Sequence, residues 1–334
     1  GFKLIRDVFI FTNGRLILKE LPTAVIETPL TVPEGGSLAL SGAGSHAWDE
    51  LNDTIVAYEW DLDGDGNFAE TGTEAARGDE IGVSPTFSAA GLDGPSTFDV
   101  KLRVKDNNYN LALNRLFVSE EVTAPVEIAN VDPVIDTLAA TSVDENGTVT
   151  LSGTYHDDGL VDTHTLTVDW GEGLPEDFVV TGGTFSVTHQ YLDDDPTATA
   201  GDVYTLGVTL TDDDGGTDTD STTATIANVA PVLALDAVPG ISENGTATLS
   251  GTITDPGTLD SFTVVVNWGD GSAAQTFTYG AGTTEFSGTH QYRDDNPTAT
   301  ASDNYTISVT VTDDDTGSDS ETVPVTVSNS IKCV

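Results

Sequence analysis

A set of short motifs that recurs about every 100 residues constrains this chain more than any other feature of its sequence. The tetrapeptide Glu-Asn-Gly-Thr begins at Glu145 and again at Glu243, and an Asp triplet occupies residues 212–214 and 313–315. Trp-Gly and His-Gln-Tyr recur in the same order in both copies. A period of this length indicates one folded domain per repeat, because the coils of a solenoid repeat every 20–50 residues or so, about half this length or less.

A more divergent copy precedes these two. It carries Leu-Ser-Gly at residues 40–42 and Trp60-Asp61, at the places where the later copies carry the corresponding motifs. We therefore predict three domains, with residues 1–20 lying outside the repeat. Their predicted boundaries are 21–129, 130–228 and 229–330.

Apolar and polar residues alternate within each copy. Tyr204, Leu206, Val208 and Leu210 are separated by Thr and Gly, and residues 305–311 repeat this pattern. Such alternation predicts strands with one face in a core and the other in water. About seven such strands in about 100 residues predict an immunoglobulin-like β-sandwich. The predicted fold class is all-β, with three tandem sandwiches and their recurring tryptophans as core anchors.

The order of motifs also resembles a known family. Asn-Val-x-Pro, Glu-x-Gly, Leu-Ser-Gly, Trp-Gly-Asp-Gly, His-x-Tyr and Asp-Asp-Asp follow one another over residues 130–330. This segment resembles the PKD-type (polycystic-kidney-disease) immunoglobulin-like repeats of bacterial extracellular surface proteins. Over 21–129 the resemblance rests on residues 58–66, and Glu172 departs from the pattern, which has Asp there. The resemblance implies an extracellular module that spaces, adheres or assembles.

The charge balance is the second strong constraint. The chain has 55 acidic and 11 basic residues, and beyond residue 130 the only basic ones are Arg293 and Lys332. Mutual repulsion of so many carboxylates strains a compact state unless cations screen or bind them. A solvated, halophile-like surface is one explanation, and the clustering of Asp in loops favours calcium over it. Because nucleic-acid binding needs a Lys/Arg surface, we expect no nucleic-acid partner.

Other bulk features bear on location. Cys333 is the single cysteine, so no intramolecular disulfide is possible. No apolar run reaches the length of about 18 residues that a membrane span needs. The chain begins with Gly1 and contains no methionine, so we expect a processed or partial chain. We predict a secreted protein that is extracellular or on a cell surface.

The topology of a sandwich predicts where the carboxylates meet. Successive loops alternate between two poles, and in a tandem array the C-terminal pole of one domain faces the N-terminal pole of the next. Calcium takes about six to eight oxygen ligands from carboxylates, amides and backbone carbonyls. The ligands predicted at the first junction are Glu34, Asn130, Asp132, Asp157, Asp158, Asp212 and Asp214. Those predicted at the second are Glu145, Asp194, Asn228, Asp255, Asp313 and Asp315.

Calcium at these positions would bridge two domains and stiffen the array, as between cadherin domains, a comparison of geometry alone. The alternative is that the Asp-Gly runs form ordinary turns without an ion.

A third candidate calcium site lies inside the first domain. Asp61, Asp63 and Asp65, followed by Gly66, match the opening of a calcium-binding loop. The Glu expected at position 12 is absent, and Glu70 or Glu74 is the candidate substitute. A metal-free hairpin turn is the alternative.

Residues 1–20 read as a hairpin, since Asn13-Gly14 separates two apolar runs. Both faces of these runs are apolar, and a two-stranded hairpin cannot bury two faces by itself. Its cover is either the first domain or a neighbouring subunit whose sheet it extends by strand addition. In the second case, the chain self-associates into a polymer. The predicted assembly residues are Val8, Phe9, Ile10, Phe11, Leu16 and Leu18.

Neither a phosphate-binding loop, a zinc-protease motif nor a nucleophile elbow occurs in the sequence, and we predict that the protein is not an enzyme. Four sequons are possible sites of glycans. They begin at Asn52, Asn146, Asn244 and Asn304.

We therefore expect a calcium-stabilised structural subunit of an extracellular fibre, stalk or adhesin that assembles head to tail. The alternative is a non-catalytic adhesive, carbohydrate-binding or spacer module of a larger secreted protein or hydrolase.

Overall fold

The computed structural model describes residues 7–12, 15–47, 53–110, 115–295, 298 and 300–329, and its regular elements there are β-strands. No helix in this part of the chain has the length and apolar character needed to cross a membrane. The predicted all-β fold class is confirmed.

The N-terminal segment is a two-stranded antiparallel hairpin. Strand β1 (Asp7–Thr12) pairs with β2 (Arg15–Glu20) in a register that joins Asp7 to Glu20 and Thr12 to Arg15. The turn residues and the side chains of the six predicted assembly residues lie outside the described part of the chain. The nature of the surface that covers the hairpin stays a prediction.

The first sandwich contains seven strands in two sheets. One sheet has the order β3-β9-β7-β5, with β8 paired to β7, and the other pairs β4 with β6. The strands are β3 (Thr31–Pro33), β4 (Ser37–Ala39), β5 (Ile55–Asp61), β6 (Thr86–Ser88), β7 (Ser96–Asn110), β8 (Arg115–Val118) and β9 (Val122–Ala129).

The second and third sandwiches share one topology. In the second, the sheets are β10-β12-β15 and β11-β17-β16-β13-β14, and in the third β18-β20-β23 and β19-β25-β24-β21-β22. The strands of the second are β10 (Val134–Ala140), β11 (Val143–Asp144), β12 (Thr148–His156), β13 (His164–Asp169), β14 (Glu176–Val180), β15 (Thr184–Gln190), β16 (Asp202–Asp212) and β17 (Thr217–Ala227). Those of the third are β18 (Val232–Leu235), β19 (Ile241–Ser242), β20 (Thr246–Thr254), β21 (Phe262–Asn267), β22 (Gln275–Tyr279), β23 (Glu285–Gln291), β24 (Ser302–Thr312) and β25 (Ser318–Ser328).

Each core is built from the inward-facing residues that the alternation predicts. Tyr204, Leu206, Val208 and Leu210 are all buried on β16. The three predicted tryptophan anchors are fully buried, and each lies in a separate core. Stacking of a His ring on Trp170 and Trp268, at 5.0 Å between ring centroids, extends the core towards the surface in the two later sandwiches.

One short parallel pairing positions the acidic loops. In each sandwich a short early strand runs parallel to the last strand, as β3 with β9, β11 with β17 and β19 with β25. The glutamate that follows this strand therefore lies beside the linker that leaves the same sandwich. This places Glu34 and Glu145 at the two junctions.

Candidate metal centres at the domain junctions

Both junctions are built on the same backbone frame. The amide of Glu34 donates to Ala129 O at 2.9 Å, and that of Glu145 donates to Ala227 O at 3.0 Å. Each glutamate then accepts a hydrogen bond from a linker amide, Val131 N at 2.7 Å or Val229 N at 2.6 Å. The glutamate side chains thus tie one sandwich to the linker that leads into the next.

The linker asparagines make the reciprocal contact. Asn130 Nδ2 donates to Asp212 Oδ2 at 3.0 Å, and Asn228 Nδ2 donates to Asp313 Oδ2 at 3.1 Å. The amide oxygens of both asparagines are buried and accept no hydrogen bond from the described residues. Each linker therefore presents a carbonyl oxygen beside a carboxylate.

The second junction buries a cluster of carboxylates from two sandwiches. Glu145, Asp193 and Asp260 each place one oxygen within 4.8 Å of the other two. Their residues are 3%, 7% and 1% exposed, and Asp194 beside them is fully buried. The backbone joins the sandwiches here too, because Thr258 N donates to Leu192 O at 3.2 Å.

Few donors satisfy this cluster. Both oxygens of Asp194 and Asp260, with one oxygen each of Glu145 and Asp255, accept no hydrogen bond within the described part of the chain. A buried carboxylate without donors is costly unless it is protonated or bound to a cation. Carboxylates therefore outnumber the hydrogen-bond donors in this junction.

The pKa values in the second junction reflect this crowding. Burial, followed by the charges of Asp255, Asp194 and Asp193, raises the pKa of Glu145 to about 7. Burial also raises the pKa of Asp194 to about 6 and that of Asp315 to about 7, and neighbouring carboxylates add to both shifts. For Asp260, burial and then the charge of Glu145 raise the pKa far above its ordinary value. A cation beside these groups would favour their ionised forms and lower these pKa values.

The first junction has a related cluster with more donors. Glu34, Asp157 and Asp162 place oxygens within 4.8 Å of one another, and so do Asp93, Asp162 and Asp214. The second oxygen of Glu34 accepts Gly94 N at 2.9 Å. Asp157 accepts Gly159 N at 2.8 Å and pairs with His164 Nε2 at 2.9 Å.

Asp162 is the least satisfied carboxylate of the first junction. Neither of its oxygens accepts a hydrogen bond from the residues that the structure describes. Burial, and then the charges of Glu34 and Asp157, raise its pKa to about 7. A Cβ at the neighbouring Gly159 would collide with Asp162 Oδ2, so glycine is required for this close approach.

The structure brings most predicted ligands to the expected poles. Asp132 Oδ1 lies with Asn130 and Asp212 around Gly216. Asp313 Oδ1 accepts hydrogen bonds from two turn amides, Asp315 N at 3.0 Å and Gly317 N at 2.7 Å. Asp158 is exposed, and its backbone oxygen, rather than its carboxylate, lies against Gly35.

Four residues of these clusters are not among the ligands predicted from the sequence. Asp162 and Asp260 recur at one repeat position, two residues before β13 and β21, which was an available signal. Asp193 neighbours the predicted Asp194 in an Asp triplet. Asp93 lies in a Leu-Asp-Gly-Pro segment without a counterpart in the other copies, so no pattern indicated it.

The chemistry of the donor set fits calcium. The second junction offers carboxylate and amide oxygens, while zinc prefers His and Cys ligands. Beyond residue 130 the chain has only Arg293 and Lys332 as basic residues, and Arg293 lines a surface pocket with Asp270 and His290. Carboxylate and amide oxygens of this kind are the ligands that a hard divalent cation takes.

The predicted loop in the first sandwich has protein partners of its own. Asp61 is fully buried, accepts Gly64 N at 2.8 Å and pairs with Lys101 Nζ at 2.8 Å. Asp63 groups both with Asp61 and Asp65 and with Glu70 and Glu80. Sequence reasoning named Glu70 and missed the fully buried Glu80, whose Oε1 accepts Leu62 N at 2.6 Å. Lys101 already supplies a positive charge to Asp61. Calcium at this loop therefore stays a prediction.

The candidate glycan sites are partly described. Asn146, Asn244 and Asn304 are exposed, and Asn52 lies outside the described residues. Exposure is a requirement for modification, and their glycosylation stays a prediction.

Comparisons with known proteins give the following result. No family model matches the sequence, and no curated protein matches it. Among solved structures, the chain is similar to the crystal structure of Drosophila N-cadherin EC1-4, with 14% sequence identity and a TM-score of 0.30. The match covers 97% of this chain and 82% of that one. The PKD-type assignment accordingly stays a prediction.

Proposed function

We infer that this chain is a calcium-stabilised structural subunit of an extracellular fibre, stalk or adhesin, without catalytic activity. One observation supports this above the others: carboxylates of two successive sandwiches, Glu145 and Asp193 on one side and Asp260 on the other, are buried together. Calcium bound by this group attaches the two sandwiches to each other. The array then becomes a stiff rod, which suits a fibre or stalk.

The function of the N-terminal hairpin is part of the proposal. Its strands β1 and β2 pair with each other as a two-stranded sheet in the described residues, and edge strands of this kind can template pairing with another chain. We propose that the hairpin adds to a sheet of a neighbouring copy and contributes to head-to-tail assembly.

Small-angle X-ray scattering and calorimetry on the purified chain test the calcium sites. With calcium, we expect an extended rigid particle and a higher melting temperature, and with a chelator a flexible particle that melts earlier. Asp260→Asn removes one buried ligand and should reduce the calcium response. Asp220→Asn, at an exposed position on β17, is the matched control and should leave the response unchanged.

Identical scattering and melting with calcium and with chelator would contradict the proposal. In that case, a monomeric adhesive, carbohydrate-binding or spacer module becomes the better reading. Deletion of residues 1–20 tests the hairpin separately, because it should weaken assembly and leave calcium-dependent melting intact.

A further inference from the structure

Two further poles, the C-terminal pole of the third sandwich and the N-terminal pole of the first, repeat the architecture of the internal junctions. At the C-terminal pole of the third sandwich, Glu243 has the same backbone hydrogen bond to the last strand as Glu34 has in the first sandwich and Glu145 in the second. The amide of Glu243 donates to Ser328 O at 2.9 Å, as Glu145 N does to Ala227 O. Asp295 N donates to Asp294 Oδ1 at 3.0 Å, as Asp194 N does to Asp193 Oδ1 at 2.8 Å. We call Glu243, Asp294 and Asp295 the tail half-site.

Asp295 gives the tail half-site its chemical character. It is 6% exposed, and its Oδ2 accepts no hydrogen bond from the described residues. Burial raises its pKa, and the charges of Asp294 and Glu243 add to the shift. A buried carboxylate oxygen without a donor at this position corresponds to Asp194 in the second junction, where the next sandwich contributes the remaining oxygens.

The N-terminal pole of the first sandwich carries the opposite half. Thr54 N donates to Asn107 Oδ1 at 3.2 Å, which repeats Thr163 N to Asp213 Oδ1 and Ser261 N to Asp314 Oδ1, both at 2.8 Å. Asp53, which precedes this threonine, therefore occupies the position of Asp162 and Asp260.

A second hydrogen bond confirms this equivalence. Asp106 Oδ1 accepts Asn108 N at 2.9 Å, as Asp212 accepts Asp214 N and Asp313 accepts Asp315 N, both at 3.0 Å. Asp106 is 1% exposed, like its buried counterparts Asp212 and Asp313. We call Asp53, Asp106 and Asn108 the head half-site.

We propose that the tail half-site of one copy and the head half-site of a second copy close on calcium to form an intermolecular junction. This inference rests on the proposed calcium junctions and adds the contact that joins subunits. The two halves bring five carboxylates and one amide oxygen, a set within the range of about six to eight oxygens that calcium takes. Because the two halves differ, the contact is heterologous and its repetition produces a linear polymer.

Two complementary variants of the full chain test the proposal. Asp295→Asn removes the donor-free oxygen of the tail, and Asp53→Asn weakens the head. Sedimentation velocity in millimolar calcium chloride should give linear oligomers for the wild type and monomers for each variant alone. Each variant should need at least about tenfold more calcium to assemble, because site affinity follows the number of charged ligands.

A mixture of the two variants provides the decisive result. The intact head of Asp295→Asn meets the intact tail of Asp53→Asn, and growth then stops, so we expect dimers and no longer species. The exposed Asp220→Asn is the control and should assemble like the wild type. Oligomers that persist in either variant alone, for example through strand addition by the hairpin, would overturn the inference.

Calorimetry on the same samples separates this inference from the proposed function. A wild-type chain that gains thermal stability with calcium and yet remains monomeric refutes the intermolecular junction and leaves the internal sites standing. A chain without any calcium-dependent gain refutes both. Retained gain in Asp295→Asn and Asp53→Asn shows that both variants fold, so their loss of assembly supports the inference.

Discussion

The two internal junctions share one backbone frame and differ in how far the protein itself satisfies their carboxylates. At the first, both oxygens of Glu34 accept amide hydrogens, from Val131 and Gly94. At the second, the equivalent Glu145 accepts one, and its other oxygen accepts none from the described residues. Both junctions contain clustered carboxylates, and they differ in how many donors reach the paired glutamate. The second junction should depend more strongly on calcium.

The substitutions between the repeats follow the same trend. Asp157 pairs with His164 in the first junction, and the position of His164 is taken by Phe262 in the second. Asp132 and Asp158 are exposed acids of the first junction, and their counterparts are Ala230 and Pro256. The second junction therefore lacks the histidine that pairs with an aspartate in the first, and it has apolar residues where the first has two exposed acids.

Removal of calcium should have the largest effect. A site held at about 100 times its dissociation constant gains about 2.7 kcal/mol of stability. We expect a chelator to remove an increment of this order from each occupied junction, and more from the second. After the chelator is added, hydrogen exchange resolved along the chain should increase more around Gly257 and Asp313, in the second junction, than around Gly159 and Asp212, in the first. Equal loss at both junctions would contradict the proposed difference.

Two matched glutamate variants should give the next largest effect. In Glu34 each oxygen accepts one amide, so Glu34→Gln replaces one of the two acceptors with an NH2 group. We expect this to cost about 1–3 kcal/mol with or without calcium. Glu145→Gln keeps a carbonyl acceptor for Val229 N and removes a buried charge. We therefore expect it to stabilise the calcium-free chain and to reduce the gain from calcium. Urea unfolding in chelator measures the stability without calcium, and unfolding in calcium measures the gain. The same response in the two variants would contradict the proposed difference between the junctions.

The pH dependence of the calcium-free chain should be smaller but diagnostic. Glu145, Asp194 and Asp315 have folded pKa values of about 7, 6 and 7, above the unfolded values near 4. The folded state therefore binds more protons, and stability falls as pH rises from about 5 to 8. In the first junction, the pKa of Asp162 is raised comparably, to about 7. Melting in chelator across this range measures the slope.

Calcium should reduce or reverse that slope, because protons then compete with the cation for the same oxygens. The Asp260→Asn variant should show a shallower slope than the wild type in chelator, since it removes one strongly shifted group and relieves its neighbours. A calcium-free chain whose stability rises with pH would contradict the buried cluster.

The sequence predicts the sandwiches and the acidic poles for different physical reasons. Strand alternation is local, so Tyr204 to Leu210 already indicated a buried face. The poles follow from repeat positions, because a recurrent loop returns to the same end of each sandwich. Asp162 and Asp260 recur at one repeat position, but their contact with the glutamates depends on a close approach over Gly159 and Gly257 that only the folded chain shows. The donor Gly94 N reaches Glu34 only in the folded chain, so the difference between the junctions was not predictable.

Replacing the glycine that contacts each carboxylate cluster with alanine should give the smallest effect, and it compares the two junctions most directly. A Cβ at Gly257 would collide with Glu145 Oε2 and Asp260 Oδ2, oxygens from opposite sandwiches. At Gly159 a Cβ would collide with Asp162 Oδ2 and approach Glu34 Cδ to 2.9 Å. Gly257→Ala should weaken calcium binding by about 1 kcal/mol, the lower range for overpacking, because free oxygens are displaced.

Gly159→Ala should cost a similar amount of stability with and without calcium, because amide hydrogen bonds hold Glu34 in place. Calcium titration followed by tryptophan fluorescence, together with melting in chelator, separates the two outcomes. Gly280→Ala, at an exposed position of the third sandwich where a Cβ meets nothing within 4 Å and φ is not positive, controls for the added methyl group itself. If Gly257→Ala changes melting in chelator and calcium affinity no more than Gly280→Ala does, the carboxylates of the second junction are not held against Gly257.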